Sequence, residues 1–223
     1  VEWVHLPTSI IGQATIVRGG GSGTWGNSAL AGVVRLDSRS LQDKTVSADI
    51  RYGNKNSVSG SGSFKTETET GTFSGSAHIF ESDGFYLIGD TQRGAADRRA
   101  GRGNEGLRLA WTVATGSGTT WTLAANASSD TFVNGSNLAG AETDTYGVSL
   151  SAVNRDSGSS PTWETHLYAQ RKEFENVFAA FDGTRSTVRP VLDQFDVPVI
   201  GLGANVLMRW SHIESWTIEG GAD

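Results

Sequence analysis

The residue types that most often perform catalysis or bind metal are sparse and scattered in this chain. The four histidines are His5, His78, His166 and His212, and no two have the spacing of a helical metal-ligand pair. Cysteine is absent, which excludes thiolate zinc sites and cysteine nucleophiles. No Gly-x-Ser-x-Gly motif marks a nucleophilic serine. We therefore predict no catalytic residue, no metal site and no cofactor.

One glycine-rich segment matches the spacing of a dinucleotide-binding turn. Gly21-Ser22-Gly23-Thr24-Trp25-Gly26 follows a short predicted strand at 14–18. Dinucleotide binding needs a helix directly after the turn, because the helix N-terminus holds the pyrophosphate. Only residues 27–32 separate the turn from the next predicted strand at 33–36, which is too few for a crossover helix. The motif therefore predicts a sharp turn rather than a nucleotide site.

A segment between residues 83 and 99 combines acidic, basic and aromatic side chains. Two interpretations remain open: an ordinary solvated loop, or part of a mouth that contacts a ligand. The residues that would make this contact are Phe85, Tyr86, Asp90, Arg93, Asp97 and Arg98. The Asp-x-Asp-x-Asp spacing of a calcium loop is absent, so a Ca²⁺ site has little support.

Alternation of apolar and polar residues dominates the chain from Val46 onward. In the first such segment Val46, Ala48, Ile50 and Tyr52 share one face, because successive side chains of a strand point to opposite sides. The pattern predicts nine strands, at 46–52, 57–66, 71–80, 107–113, 121–128, 145–152, 163–170, 202–210 and 216–219. Several approach the ~9–11 residues that a bilayer-crossing strand needs.

The connections between these strands are typical of an outer-membrane barrel, which has short turns at one end and long loops at the other. Long polar loops are predicted at 84–103, 133–141 and 176–194, whereas the first connection, 53–56, is short. Aromatic residues near strand ends would form the interfacial girdles; they are Tyr52, Trp121, Trp163, Trp210 and Trp216. A soluble antiparallel sandwich would also alternate, but its surface usually has more charge than these Ser-, Thr- and Asn-rich faces.

The composition excludes several other classes. The 223 residues include 29 Gly and 37% hydrophobic residues, and no run approaches the ~18 apolar residues of a membrane-spanning helix. The net charge of −6 argues against nucleic acid as a partner, because neutralising phosphates needs a basic surface.

A spaced series of glycine, arginine and aromatic residues fills the first 40 positions. It comprises Val17-Arg18-Gly19, Trp25-Gly26 and Ala29-Leu30-Ala31-Gly32-Val33-Val34. This series resembles the end of the plug domain of TonB-dependent outer-membrane receptors. The plug-motif residues are Arg18, Gly19, Gly21, Trp25, Gly26 and Gly32. Ser82-Asp83-Gly84-Phe85 and Arg93-Gly94 also resemble segments that follow the third barrel strand in some members of that family.

The resemblance implies an all-β fold. It would be an antiparallel, up-and-down transmembrane β-barrel segment, partial and open, preceded by the C-terminal tail of a plug domain. The plug part would occupy residues 1–40 and the barrel part residues 46–223. Because the family's barrel has about 22 strands, we expect the chain to be an internal fragment of a receptor.

The resemblance also implies a function: TonB-energised uptake of a scarce, large nutrient across the outer membrane of a Gram-negative bacterium. The ligand would be a ferric siderophore, haem, cobalamin or a glycan, and no bond in it would be broken. The expected partners are TonB, through a segment missing from this chain, outer-membrane lipid, and a small-molecule ligand, possibly a metal chelate. Candidate ion pairs between plug and barrel involve Arg18, Arg35, Asp49, Glu164 and Glu219. The alternatives are a porin, a barrel enzyme, or a soluble β-rich binding or adhesion protein.

Overall fold

The computed structural model of the chain describes residues 11–19, 31–38, 46–116, 118–155, 161–213 and 216–222. Eleven β-strands account for most of these residues. Across the same ranges, no helix is both long enough and apolar enough to cross a bilayer.

The first two strands form a small sheet of their own. Strand β1 (Ile11–Arg18) pairs antiparallel with β2 (Gly32–Ser38). Gly32 lies opposite Arg18 with φ near +153°, and a Cβ atom there would come within 2.6 Å of the Val17 carbonyl oxygen. A glycine is therefore required where this strand begins.

The remaining nine strands form one antiparallel sheet in which each strand pairs with its neighbours in sequence. They are β3 (Val46–Gly53), β4 (Ser57–Thr68), β5 (Gly71–Tyr86), β6 (Arg99–Ala114), β7 (Thr119–Val133), β8 (Gly140–Asn154), β9 (Thr162–Phe181), β10 (Val188–Ile213) and β11 (Trp216–Ala222). The predicted all-β, up-and-down architecture with nine strands is confirmed. Because β3 and β11 are the edges of the described sheet, the barrel is partial and open.

The strand register separates apolar and polar residues onto opposite faces. Trp111, Leu123, Leu150 and Leu167 lie in one row across four strands, on the face that we call the outer face. Three of them are 44–48% exposed, so within the described chain no second layer covers this row. On the opposite, inner face, a parallel row contains Arg108, Asn126, Gly147 and Gln170.

The strands are longer, and the loops shorter, than the alternation predicts. The long connections are 87–98, 134–139 and 182–187, because β5, β6, β9 and β10 all continue beyond the apolar segments. The segment 99–106 contains three glycines and three charged residues and therefore has no apolar face. It is nevertheless a strand, since it pairs with β5 on one side and β7 on the other. Ladder hydrogen bonds decide the conformation where side-chain pattern does not.

Candidate functional site

Three loops meet at the end of the sheet where the connections are long. These loops, which we call the loop cluster, are 87–98, 134–139 and 182–187. The Ala96 backbone N–H donates to the Arg185 carbonyl oxygen at 2.9 Å, and the Arg98 N–H donates to the Gly135 carbonyl oxygen at 2.8 Å. Backbone hydrogen bonds therefore join the first loop to each of the other two.

A buried ion pair reinforces the first of these contacts. The Asp97 side chain is 3% exposed and accepts hydrogen bonds from Arg185 Nε at 2.9 and 3.1 Å and from Arg185 Nη2 at 2.6 Å. The Gly94 N–H donates to the same carboxylate at 2.8 Å. The hydrogen bond from Arg185 is the main cause that holds the pKa of Asp97 below its usual 3.8, against the opposing effect of burial.

Gly94 allows the loops to approach this closely. A Cβ atom at this position would collide with the Arg185 carbonyl oxygen and lie 2.6 Å from that of Thr184. Arg185 itself has a positive φ of 55°, and its guanidinium lies 3.9 Å from the centre of the Phe181 ring. In the sequence Arg93-Gly94 stood out only as part of a resemblance, and the structure shows a physical reason for its glycine: a side chain at position 94 would collide with the 182–187 loop.

A second aromatic–cation contact lies at the end of β5. The Arg93 guanidinium stacks 3.6 Å from the centre of the Tyr86 ring, and Arg93 also pairs with Asp90. Arg93 Nε is buried and has no hydrogen-bond partner among the described residues. Phe85, by contrast, is 61% exposed.

The six residues predicted to contact a ligand thus have different environments. Phe85 and Tyr86, at the end of β5, and Asp90, in the loop cluster, are accessible at the surface. Asp97 is buried and Arg98 donates to the carbonyl oxygens of Ala95 and Asp97, so both residues fix the loop's shape.

A cleft of about 370 Å³ lies on the inner face of the sheet. It spans five strands, β5 to β9, and its polar side chains include His78, Arg108, Asn126, His166, Tyr168 and Gln170. The volume is within the ~300–1,000 Å³ typical of small-molecule sites. His78 Nε2 lies 2.7 Å from Asn104 Oδ1, and the His166 and Tyr168 rings are 6.0 Å apart.

Aromatic residues occupy the inner face between this cleft and the loop cluster. The register places Phe80 and Phe174 in the same row, with Asn104, Asp130 and Thr143 between them. Phe132 and Phe178 lie further toward the loops and are 39% and 49% exposed. A solute entering along the inner face from the loop end would meet these rings before the cleft.

The plug-motif residues are only partly described. Arg18, Gly19 and Gly32 lie at the paired end of β1 and β2, where Gly19 has a φ of +91°. Gly21, Trp25 and Gly26 lie outside the described residues.

The residues predicted to form plug–barrel ion pairs are spread over both sheets. Arg35 of β2 lines a pocket of about 280 Å³ together with Glu164 of β9 and Arg209 of β10. Glu164 also lies 3.7 Å from Arg155. Asp49 pairs with its neighbour Arg51 at 2.8 Å, Arg18 is exposed, and the side chain of Glu219 lies outside the described part of the chain.

Sequence reasoning missed Arg185, Phe132, Phe174 and Phe178 as site residues, because all four fall in or beside segments predicted to be long loops. Asp97 and Arg185 are separated by 88 residues, and no local pattern links them. They are in contact because the strands that flank the two loops extend equally far at this end of the sheet, which places loops 87–98 and 182–187 side by side. The alternation did identify His78, Arg108 and His166 as polar strand residues. No group of His, Asp and Glu in the described ranges has metal-binding geometry.

Comparison with protein-family models and with curated proteins finds no match. Among solved structures, the chain is similar to the FrpB iron transporter from Neisseria meningitidis (F3-3 variant), with a TM-score of 0.73 and 14% identity. The similarity covers 95% of this chain and 36% of the transporter chain. It shows that this chain has the fold of a portion of that transporter.

Proposed function

We propose that this chain is part of a TonB-dependent outer-membrane receptor that imports a scarce nutrient. Residues 1–40 are the end of its plug domain, and residues 46–223 are its first barrel strands. The observation that carries the proposal is the two-faced sheet: an apolar outer face and a polar inner face over nine up-and-down strands. Once further strands close it into a complete barrel, such a sheet satisfies its backbone hydrogen bonds within the membrane and keeps its polar side chains inside.

Three further observations support this proposal. The loops at one end of the sheet pack against one another and would surround an entrance. The cleft and aromatic rings of the inner face lie on the route from that entrance. The structural neighbour is an iron transporter, and its length leaves room for further strands beyond those of this chain.

Uptake measurements test the proposal. The gene that encodes the complete protein would be deleted, and uptake of radioactive iron supplied as a panel of ferric chelates would be compared with the parent strain. We expect loss of uptake of at least one chelate, restored by the gene on a plasmid. We also expect a protonophore to stop uptake without stopping surface binding, because TonB needs the energised inner membrane. Uptake that continues with the protonophore would overturn TonB coupling and favour a passive channel.

A plug–barrel contact at Arg35 gives a separate prediction. We propose that Arg35 interacts with Glu164, because both line one pocket between β2 and the inner face of the sheet. Arg35→Glu in the complete receptor should make trypsin cleave the plug at least severalfold faster, and adding Glu164→Arg should reverse much of the change. Gln13→Glu, which adds a negative charge at an exposed position of β1, is the matched control. Equal effects with and without the Glu164 change would refute the pairing.

A further inference from the structure

We infer that the inner-face cleft around Arg108 binds an anionic solute and so selects negatively charged ligands. This inference rests on the proposed import function and narrows its substrate class. It concerns the wall of the sheet rather than the loops at the entrance.

Charge is divided unequally between the two faces of β5 to β9. The register assigns six carboxylates and two cations to the outer face, at or beyond the loop-side edge of its apolar rows: Glu81, Glu105, Glu142, Asp144, Glu173, Glu175, Arg99 and Arg171. The inner face has three cations and two carboxylates: Arg102, Arg108, Lys172, Asp130 and Glu164. A chain with a net charge of −6 therefore presents a locally cationic inner wall.

Both inner carboxylates are engaged away from the cleft. Asp130 accepts hydrogen bonds from Arg102 at 2.8 and 3.0 Å, and Glu164 lies beside Arg155 and Arg35 at the other end of β9. Neither Asp130 nor Glu164 lines the cleft, and no carboxylate is among the described residues that line it. Among the described lining residues Arg108 is the one permanent charge, so it sets the sign of the field in the cleft.

Arg108 is positioned to meet a solute. It is exposed on the inner face, and it forms no ion pair with any of the described residues. Asn126 and Gln170 lie in the same row, and His78, His166 and Tyr168 surround them with further hydrogen-bonding groups. A guanidinium among other hydrogen-bonding side chains is suited to carboxylate, phosphate or phenolate oxygens, which it can bind through two parallel hydrogen bonds.

Equilibrium binding to the complete receptor in detergent tests this inference. The probes are a trianionic ferric tris-catecholate and a neutral ferric trihydroxamate, followed by quenching of tryptophan fluorescence. We expect the wild-type receptor to prefer the anionic probe, and Arg108→Gln to weaken its binding by about tenfold, the loss of one charge-assisted contact. Arg108→Lys keeps the charge but loses the two parallel hydrogen bonds, so its affinity for the anionic probe should lie between those of the wild type and Arg108→Gln. The neutral probe should be unaffected by either change. Added salt should weaken anion binding less in Arg108→Gln than in the wild type.

The controls separate this inference from the proposed function. Arg171→Gln removes a cation from the outer face of β9, another strand of the cleft, and should leave anion affinity unchanged. If Arg108→Gln binds the anionic probe as tightly as the wild type while energised uptake persists, the inference fails and the import function stands. The inference also fails if the variant alters only the protease sensitivity of the plug, because Arg108 would then contact the plug rather than a solute. If deleting the gene removes no energy-dependent uptake of any chelate, import of ferric chelates itself fails.

Discussion

Replacing Leu167 by Arg should largely prevent the complete protein from assembling in the outer membrane. Leu167 is 45% exposed and is the β9 member of the outer apolar row, opposite Leu150 on β8. An arginine on the lipid-facing side of a barrel costs about 2–4 kcal/mol near the bilayer midplane. Folded barrels resist unfolding in cold detergent and migrate faster on a gel than the heat-denatured chain. The loss of assembly is therefore measured as a lower folded fraction on an unheated gel.

The neighbouring residue provides the matched control. His166 precedes Leu167 on the same strand but faces the inner cleft, where an arginine stays in a polar environment. His166→Arg should therefore leave most of the protein folded in the membrane. Equal folded fractions for the two variants would show that the outer face does not contact lipid.

Replacing Asp97 by Asn should release the loop cluster without unfolding the sheet. The substitution keeps the shape of the side chain but removes the charge that binds Arg185, and it leaves a half-buried guanidinium unpaired. We expect amide hydrogen exchange at Gly94, Ala96 and Arg98 to accelerate by about tenfold or more, because these loops would open locally. Exchange in the middle of β6 and β7 should not change.

Asp90→Asn is the control for this second prediction. Asp90 also pairs with an arginine of the same loop, but its side chain is 89% exposed. An exposed pair contributes little, so exchange of the loop amides should stay close to that of the wild type. If Asp90→Asn has as large an effect as Asp97→Asn, burial does not explain the strength of the contact.

The pH dependence of the loop cluster follows from the pKa of Asp97. Because Arg185 lowers this pKa in the folded loops, ionised Asp97 stabilises them at all pH values above its ordinary 3.8. That stabilisation is lost only as the pH falls below 3.8 and through the lower, folded-state pKa. Once protection is corrected for intrinsic exchange rates, it should be constant between neutral pH and about pH 5.

Residue patterns predicted the sheet more completely than the site. Side chains such as Leu123 and Thr122 alternate because one faces outward and the other inward, and this local rule is visible in any single strand. The extension of β6 through residues 99–106 was not visible, because glycine and charged residues there have no apolar face. That segment is held by pairing on both sides, which depends on strands far away in sequence.

Dependence on residues far away in sequence also explains why the burial of the loop residues was not predicted. The sequence indicated a mixed-charge segment containing Asp90 and Asp97, but it did not distinguish the accessible Asp90 from the buried Asp97. Asp97 is buried because the 182–187 turn packs against it, and the position of that turn depends on the lengths of β9 and β10. The cleft around Arg108 likewise depends on five strands lying in one register, although each of its polar residues was recognisable separately.

The most direct test of the account is an accessibility scan along β9. The chain contains no cysteine, so single cysteines at 165–170 can be introduced into it and spin-labelled in the complete protein in outer-membrane lipid. The account predicts a period of two: oxygen, which partitions into lipid, should relax labels at 165, 167 and 169, and a water-soluble nickel complex should relax those at 166, 168 and 170. Labels that are accessible to nickel on both faces, or shielded from oxygen on the outer face, would contradict a membrane-spanning sheet.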